Sequence, residues 1–503
     1  MNSTVRPARD RVMLAVMGVL LAFLALHALG AILDFRAGIN APLELDYGEG
    51  IVWQQAALIP GPRMYGNGQD LPFIVFHYPP LYYLFVHALA PLAPNLLAAG
   101  RLASALATVL LAPLASALVL TAARRRGGTE IAVAVAAGLL VLCLHAVRTW
   151  GLFMRVDMVA VALGLAGVLA GIWAGGRFWS TVAALLLCTA AVFTKQTELP
   201  AGIAVFAVAL LLNPRNALAA AGIVGLLGLG ALALMQDLTH GGFLQNIVGY
   251  NINRFSPDAV VRTLLVERSS LPVAGLILFA AGSLIVSLPR PSSGASWLRA
   301  VGLSLHAGDR PAVARAMLLG YFAIASLMLV TLFKSGAAFN YLLDWLCIGV
   351  VLVGVKLCDL AMNNRRPFIL VALLLILGVA ILPFRQLPDR PSEEQFAQHT
   401  ALVRRIADAN KPVASESMTV LMQAGKPVIF EPAIVTELAA LGKWNEAPLI
   451  DMIRSDGFAF MITTDDNRGG GGRRSAAVDA AMRDAYPRVE QIGPDLWLHK
   501  PAD

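Results

Sequence analysis

The feature that most constrains this chain is a succession of apolar runs between residues 11 and 384. Each run has about 16 to 24 residues, enough for a helix to cross the roughly 30 Å hydrocarbon core of a bilayer. Only 14% of the 503 residues are charged and 57% are apolar, and the mean hydropathy is +0.68. Such values exclude an ordinary soluble domain. We therefore expect a polytopic α-helical membrane protein.

The apolar runs predict about eleven transmembrane helices. The first run is longer than the core of a signal peptide and many further runs follow it, so we expect a retained helix rather than a cleaved signal. The predicted spans are 12–33, 98–122, 130–147, 158–175, 180–195, 198–213, 217–235, 271–288, 315–333, 341–358 and 367–384.

The charges between these runs predict the orientation of the chain. With the N-terminus in the cytoplasm, fifteen Arg and Lys residues and only four acids lie on the inner side, as the positive-inside rule requires. The net charge of +7 thus reflects the topology of the chain. The sequence shows no basic face with interleaved aromatic residues, the pattern typical of nucleic-acid binding. We expect a multi-pass protein of the bacterial inner membrane, with its C-terminus in the periplasm.

Residues 78–94 allow two interpretations. The segment is apolar but short, and it has prolines at both ends. A crossing here would reverse the charge asymmetry of every later loop, which favours an interfacial or re-entrant helix on the outer side. A true crossing remains the alternative.

The last part of the chain, residues 385–503 (the tail), differs from the rest in composition. It is soluble in character and alternates strand and helix patterns, with strands predicted near 412–414, 427–430 and 458–462 and helices over 420–424 and 434–453. The sequence predicts a membrane domain over 1–384, whose outer first loop is 34–97, and a small periplasmic α/β cap over 385–503. The glycines at 469–472 predict a flexible loop, not a phosphate cradle.

Unusual polar residues collect on the predicted outer side of the membrane. Each has a structural alternative, such as a helix-end anchor, an interfacial ion pair or a solvated loop charge. Together they suit sugar transfer from a lipid-linked phosphosugar, because a carboxylate can take the acceptor's proton while cations stabilise the departing phosphate. Asp46, Glu49 and Trp53 have helical spacing, so a helix starting here would present them on one face. The set comprises Asp46, Glu49, His77, Tyr78, Arg155, Asp157, Lys195, Gln196, Lys334, Asn340 and Tyr341.

Several motifs in this set resemble a known family. As a set they resemble bacterial glycosyltransferases of the GT-C superfamily, in the family 39-like branch related to protein O-mannosyltransferases and lipid A aminoarabinose transferases. The resemblance covers roughly residues 12–384, and each motif is weak alone. The motifs are Asp46–Gly50, His77–Tyr82, Arg155–Asp157, Thr194–Thr197, Lys334–Gly336 and Asn340–Tyr341.

The resemblance implies roles for the acidic residues. Asp46 occupies the position of the first-loop catalytic base, and Asp157 is the second-loop carboxylate. Glu49 would be a second acid that helps to bind the acceptor or a metal. Some relatives use a divalent cation and others do not, so the metal stays open, with Asp46, Glu49 and Asp157 as its ligands if one is bound.

The resemblance also implies a phosphate site, and here the chain departs from the pattern. Aminoarabinose transferases carry a lysine before the Pro-Pro pair, where this chain has His77 and Tyr78. Beside Arg155, the phosphate-binding role could therefore fall to His77, Lys195 or Lys334. The remaining expected substrate-binding residues are Gln196, Asn340 and Tyr341.

The expected function is transfer of a sugar, with inversion, from a polyprenyl-phosphate donor to a lipid, glycan or protein acceptor on the periplasmic side. The rival is a transporter or flippase of lipid-linked saccharides. A transporter would show internal repeats and charges near the bilayer midplane, whereas here the charges gather at one interface. A non-catalytic glycan-binding subunit is a third reading, in which the acidic pair could be neutralised without effect.

Overall fold

The computed structural model describes residues 5–502 with the exception of 252, 267–269, 288–308, 335, 364, 388–391, 466–472 and 494. The predicted glycine loop at 469–472, and Ser335 of one motif, lie outside the described residues. The α-helices are α1 Val5–Ile39, α2 Tyr47–Leu58, α3 Leu81–Leu89, α4 Leu96–Ala122, α5 Gly128–Cys143, α6 His145–Trp150, α7 Asp157–Ala174, α8 Phe178–Thr194, α9 Pro200–Leu212, α10 Pro214–Leu238, α11 Gly242–Leu244, α12 Pro257–Val266, α13 Leu271–Val286, α14 Arg310–Met328, α15 Leu343–Asn363, α16 Arg365–Ala380, α17 Glu393–Ala407, α18 Met418–Gln423, α19 Pro432–Ala440, α20 Ala447–Arg454 and α21 Ala476–Ala485.

Every predicted span overlaps a helix of the structure, but the span 130–147 is divided between α5 and α6, and the span 367–384 extends beyond the end of α16 at Ala380. Within the described residues, six helices have the length and apolar composition to cross a membrane, and five more apolar helices are shorter. The chain is thus a multi-pass membrane protein by helix length and composition, while the total of eleven spans stays a prediction. The outer face of α10 illustrates the lipid-facing surface, since Leu226 and Leu229 are 72% and 65% exposed.

The helix inside the ambiguous segment 78–94 is α3, which has only nine residues. At 1.5 Å per residue it is about 14 Å long, roughly half of the hydrocarbon thickness. Tyr82 and Tyr83 are fully buried, and the Tyr82 hydroxyl donates to the Gly100 carbonyl of α4 at 2.9 Å. Its short length and its packing on α4 favour the interfacial or re-entrant interpretation, which stays a prediction.

The tail contains a four-stranded sheet with helices around it. Its strands are β1 Ala414–Ser415, β2 Met461–Thr463, β3 Arg488–Gly493 and β4 Leu496–Lys500. They lie in the order β1-β2-β4-β3, with β1 parallel to β2 and the other pairs antiparallel. The strand predicted over 427–430 is wrong, because only Phe430 makes an isolated bridge there, with Phe73. The helix predicted over 434–453 is two helices, α19 and α20.

The tail packs directly on the outer first loop. A Cβ at Gly50 of α2 would lie 2.8 Å from the Cβ of Met418, so α18 can approach α2 this closely only where α2 has no side chain. The Ser417 and Thr419 hydroxyls donate to Glu44 at 2.6 and 2.7 Å. The structure thus places the tail over the residues that carry the first-loop motif.

Candidate functional site

Asp46 is the N-cap of α2. Its Oδ2 accepts from the Gly48 amide at 2.9 Å and lies 3.3 Å from Nη1 of Arg155. The Asp46 side chain is 26% exposed, so one face of this carboxylate is reachable. Burial raises its pKa above the ordinary value, and the Arg155 charge opposes that rise. A partly exposed carboxylate with a raised pKa is a suitable proton acceptor.

Glu49 does not share the face of Asp46, contrary to the prediction from helical spacing. It is fully buried, and Nε and Nη2 of Arg101 donate to its two oxygens at 2.7 and 2.6 Å. The amides of Leu45 and Met154 donate to the same carboxylate at 2.8 and 2.9 Å. A carboxylate that is buried and already takes four hydrogen bonds does not fit the expected direct role in acceptor or metal binding. It instead anchors the first loop to α4.

Asp157 lies at the start of α7 and is fully buried. Its Oδ1 accepts from Nζ of Lys195 and from Nδ2 of Asn340, both at 2.9 Å, and its Oδ2 accepts from Nε1 of Trp150 at 2.9 Å. Lys195 lies over the ring of Tyr341, 5.4 Å from the centroid. The structure therefore brings together four of the predicted site residues from distant parts of the chain.

Glu198 provides a second carboxylate for Lys195, 3.3 Å from Nζ. Lys195 is accordingly held by both side chains, and its ion pair with the buried Asp157 leaves less of its charge for a further anion.

Lys334 differs from Lys195 in its partners. Its Nζ donates to the carbonyl and to Oδ1 of Asn251 at 2.9 and 2.8 Å, and no described carboxylate lies within ion-pair distance of it. Burial lowers the pKa of this lysine to about 8. Its positive charge is thus the least compensated among the predicted cations.

His77 and Lys334 both contact Asn251. Nδ2 of Asn251 and Nε2 of Gln196 both donate to the His77 carbonyl, at 3.0 and 2.8 Å. Burial, aided by the Lys334 and Arg155 charges, lowers the pKa of His77 to about 3. The ring is therefore neutral and is not a cationic phosphate ligand at physiological pH. The adjacent Tyr78 ring lies 6.2 Å from it, and burial raises the pKa of Tyr78 to about 12.

Glu431 of the tail also reaches this region, which the sequence did not predict. Its Oε1 accepts from the Tyr47 hydroxyl at 2.7 Å, and its Oε2 lies 3.9 Å from Nε2 of His77. Burial raises the pKa of Glu431 to about 7. The guanidinium group of Arg473 lies over the Tyr47 ring, 3.8 Å from its centroid. A tail carboxylate thus borders the same group of residues as the first loop.

Three polar atoms in this region are buried without a hydrogen-bond partner among the described residues. They are Nε of Arg155, Oε1 of Gln196 and Oε2 of Glu431. Buried polar groups are normally paired. Gln196 and Glu431 both lie against His77, and Arg155 pairs with Asp46. Unpaired atoms in this arrangement indicate a place where a polar ligand binds. We call Asp46, His77, Arg155, Asp157, Lys195, Lys334 and Glu431 the polar cluster.

The described residues contain no group of three or more His, Cys, Asp and Glu side chains arranged to hold a metal ion. The carboxylates proposed from the sequence each face a cation instead: Asp46 faces Arg155, Glu49 faces Arg101 and Asp157 faces Lys195. The metal site formed by these three acids, which the sequence left open, does not fit this arrangement.

The described part of the structure contains two cavities that are relevant to a substrate. An apolar groove of about 490 Å³ runs between α8, α9 and α10 and includes Phe193 and Leu199, which are close in sequence to Lys195 and Glu198. A mixed polar cavity of about 580 Å³ lies between the first loop and the tail, with Gln54, Arg63, Asp70 and Lys426 in its wall.

Two important residues were missed by the sequence reasoning. Arg101 stands inside an apolar run, and a lone arginine in such a run is itself a signal of a buried partner. Glu431 is followed by Pro432, an N-cap signal, but nothing local shows that its side chain meets Tyr47.

Comparisons with known proteins place this geometry in a wider context. No protein-family model matches the chain, and no curated protein matches it in sequence. Among solved structures, ArnT from Cupriavidus metallidurans in the apo state is similar over 96% of this chain and 98% of its own, with a TM-score of 0.51 and 15% identity. The same enzyme bound to undecaprenyl phosphate is similar over 94% and 97%, with the same TM-score and identity.

The oligosaccharyltransferase of Archaeoglobus fulgidus in the apo form is similar over 92% of this chain and 72% of its own, with 12% identity. Its TM-score of 0.48 is too low to support a conclusion about this chain. ArnT is a lipid A aminoarabinose transferase, and its likeness extends over nearly the full length of both chains. The chain therefore shares the fold of ArnT, as the resemblance of its sequence motifs predicts.

Proposed function

We propose that this protein is a membrane glycosyltransferase that transfers a sugar from a polyprenyl-phosphate carrier to an acceptor hydroxyl on the periplasmic side of the inner membrane. The observation that carries the proposal is the contact between Asp46 and Arg155, a base and a phosphate-binding cation 3.3 Å apart. The unpartnered Nε of Arg155 beside it supports a bound anion. The undecaprenyl phosphate bound by the similar ArnT supports the same class of donor.

In the proposed reaction, Asp46 takes the proton of the acceptor hydroxyl while its oxygen attacks the anomeric carbon. The bond from that carbon to the phosphate oxygen breaks, and polyprenyl phosphate leaves with the bonding electrons. A single displacement of this kind inverts the anomeric configuration. Asp157 carries no proton in this scheme, because its oxygens hold Lys195, Asn340 and Trp150 in place.

The phosphate ligands follow from the distribution of charge. Arg155 has one carboxylate partner and a free Nε, and Lys334 has only Asn251 as a described hydrogen-bond partner. Lys195 is already paired with the buried Asp157, and His77 is neutral. We therefore assign the departing phosphate to Arg155 and Lys334, with Lys195 as a support of Asp157. The free Oε1 of Gln196 can only accept a hydrogen bond, so it suits a hydroxyl group of the substrate and not the phosphate.

The two cavities suit the two substrates. The apolar groove beside Lys195 has the character of a polyprenyl chain site. The polar cavity between first loop and tail is open to an acceptor with hydroxyl groups, whether lipid, glycan or protein. In this proposal residues 1–384 form the catalytic membrane domain, and 385–503 form a periplasmic cap that shapes the acceptor entrance.

The test uses the full chain in lipid vesicles with a radiolabelled polyprenyl-phosphate sugar and cell-envelope acceptors. Label should move from the carrier to an acceptor, and Asp46→Asn should slow this transfer by roughly 10²–10⁴-fold. If the label stays on the carrier in every acceptor and metal condition and crosses the bilayer, the protein is a flippase and the proposal is wrong.

A further inference from the structure

Only one of the two carboxylate oxygens of Glu431 accepts hydrogen bonds from the described residues. Oε1 accepts from the Tyr47 hydroxyl at 2.7 Å and from the Ile434 amide at 3.2 Å, as the N-cap of α19. Oε2 is buried and has no hydrogen-bond partner among the described residues. An unused acceptor in this position needs a donor from outside the chain.

The group that faces Oε2 is Nε2 of His77, at 3.9 Å. The tautomer of His77 follows from its neighbour Gln55, whose Nε2 donates to the Val75 carbonyl and to Nδ1 of His77 at 2.6 and 3.1 Å. The Tyr83 hydroxyl donates to Oε1 of Gln55 at 2.5 Å, which fixes the amide orientation. Nδ1 therefore accepts, and the proton of the neutral ring is on Nε2.

A donor and an acceptor thus face each other at a distance too long for a direct hydrogen bond. One oxygen about 2.8 Å from each atom would bridge them. That oxygen must accept from His77 and donate to Glu431. A hydroxyl group does both. An ammonium group cannot accept, and an ionised phosphate oxygen cannot donate to the carboxylate form of Glu431, which prevails above its pKa of about 7.

We propose that His77 and Glu431 together bind one hydroxyl group of the sugar that is transferred, so that the tail supplies part of the donor site. The inference rests on the proposed function. Asp46 and Arg155 lie in the same polar cluster, so a sugar held here is adjacent to the base and to the phosphate ligand. Both His77 and Glu431 act by hydrogen bonding, and neither transfers a proton in the reaction.

The test compares Glu431→Gln, His77→Asn and the double variant in the vesicle assay. Gln at 431 keeps an oxygen for Tyr47 and Ile434 but places an amide donor at Oε2. Asn at 77 keeps an acceptor near Gln55 and removes the Nε2 donor. Each single variant should lower kcat/KM by about tenfold to a hundredfold. The kcat/KM of the double variant should be no lower than that of the less active single variant, because both residues hold the same group. Binding of sugar-free polyprenyl phosphate should stay unchanged in all three.

Glu437→Gln is the matched control, because Glu437 lies on the same helix and pairs with the exposed Arg254. It should transfer at the wild-type rate. If the wild type transfers sugar and Glu431→Gln does so equally well, the inference is wrong while the proposed function stands. Losses that multiply in the double variant, or weaker binding of sugar-free polyprenyl phosphate, would mean a structural role and would also overturn it. Losses well below tenfold in both single variants would mean that an ordered water bridges the two residues, which would overturn it as well. A wild type that never transfers sugar removes both proposals.

Discussion

Arg155 lies in the space that a side chain at Gly48 would fill. A Cβ built on Gly48 would overlap the guanidinium group of Arg155, which crosses the first turn of α2 to reach Asp46. Gly48 therefore lets a cation approach the proposed base. The pairing of base and phosphate ligand therefore depends on the absence of a methyl group.

Replacing Gly48 by Ala should displace Arg155 from Asp46 and lower transfer at least tenfold, the effect of losing one hydrogen bond to a charged group. The obstructed atoms are the end of a flexible side chain, so the melting temperature should change little. Gly222→Ala, in α10 with open space around it, is the control and should behave as wild type. A large drop in melting temperature in Gly48→Ala would contradict this account.

Asp46→Asn retains the shape of the side chain and removes the proton acceptor. The rate of transfer should fall by roughly 10²–10⁴-fold, as is typical for loss of general-base catalysis. Donor binding should change little, because Arg155 and Lys334 remain. Rates from single-turnover transfer and affinity from donor titration measure the two effects separately. Near-normal turnover would remove Asp46 from this role.

The lowered pKa of Lys334 predicts that the affinity for the donor depends on pH. The pKa of this lysine is lowered to about 8 by burial, so its charge is present below that pH and is lost as pH rises through it. The affinity for polyprenyl phosphate should therefore weaken between about pH 7.5 and 9. In Lys334→Arg the charge persists at all these pH values, and the weakening should disappear. An unchanged profile in Lys334→Arg would assign the titration to another group.

Glu49 and Arg101 should contribute to stability and not to proton transfer. Both are buried and joined by two hydrogen bonds, so Glu49→Ala leaves an uncompensated arginine inside the protein. Breaking such a pair costs about 3–5 kcal/mol. Thermal unfolding in detergent measures the loss. Glu437→Ala breaks the more exposed pair with Arg254 and should cost about 1 kcal/mol or less. Equal stability of the two variants would contradict the anchoring role.

The charge asymmetry predicts the orientation of the chain. A reporter fused after Phe384 should be periplasmic, and one fused at Gly294, outside the described residues, should be cytoplasmic. Alkaline phosphatase and a fluorescent protein distinguish the two sides. The opposite result at either site would place the polar cluster on the cytoplasmic side and remove a periplasmic reaction from the proposal.

The sequence alone determined the membrane helices and their approximate bounds, because hydrophobic length is a local property that a short window contains. It also singled out Asp46, Arg155, Asp157, Lys195 and Asn340, since polar residues at the ends of apolar helices are few and conspicuous. The structure pairs Asp46 with Arg155, and Asp157 with Lys195 and Asn340, while their role as a site stays a prediction.

Only the tertiary structure decided what each charge does. Asp46 and Glu49 are three residues apart in sequence. Asp46 is the partly exposed N-cap of α2, whereas Glu49 is buried in an ion pair with Arg101. Glu431 meets Tyr47 across 384 positions of sequence. The physical reason is that the role of a charge depends on its burial and on its partners. Both are set by contacts between distant segments, and no local pattern of residues contains them.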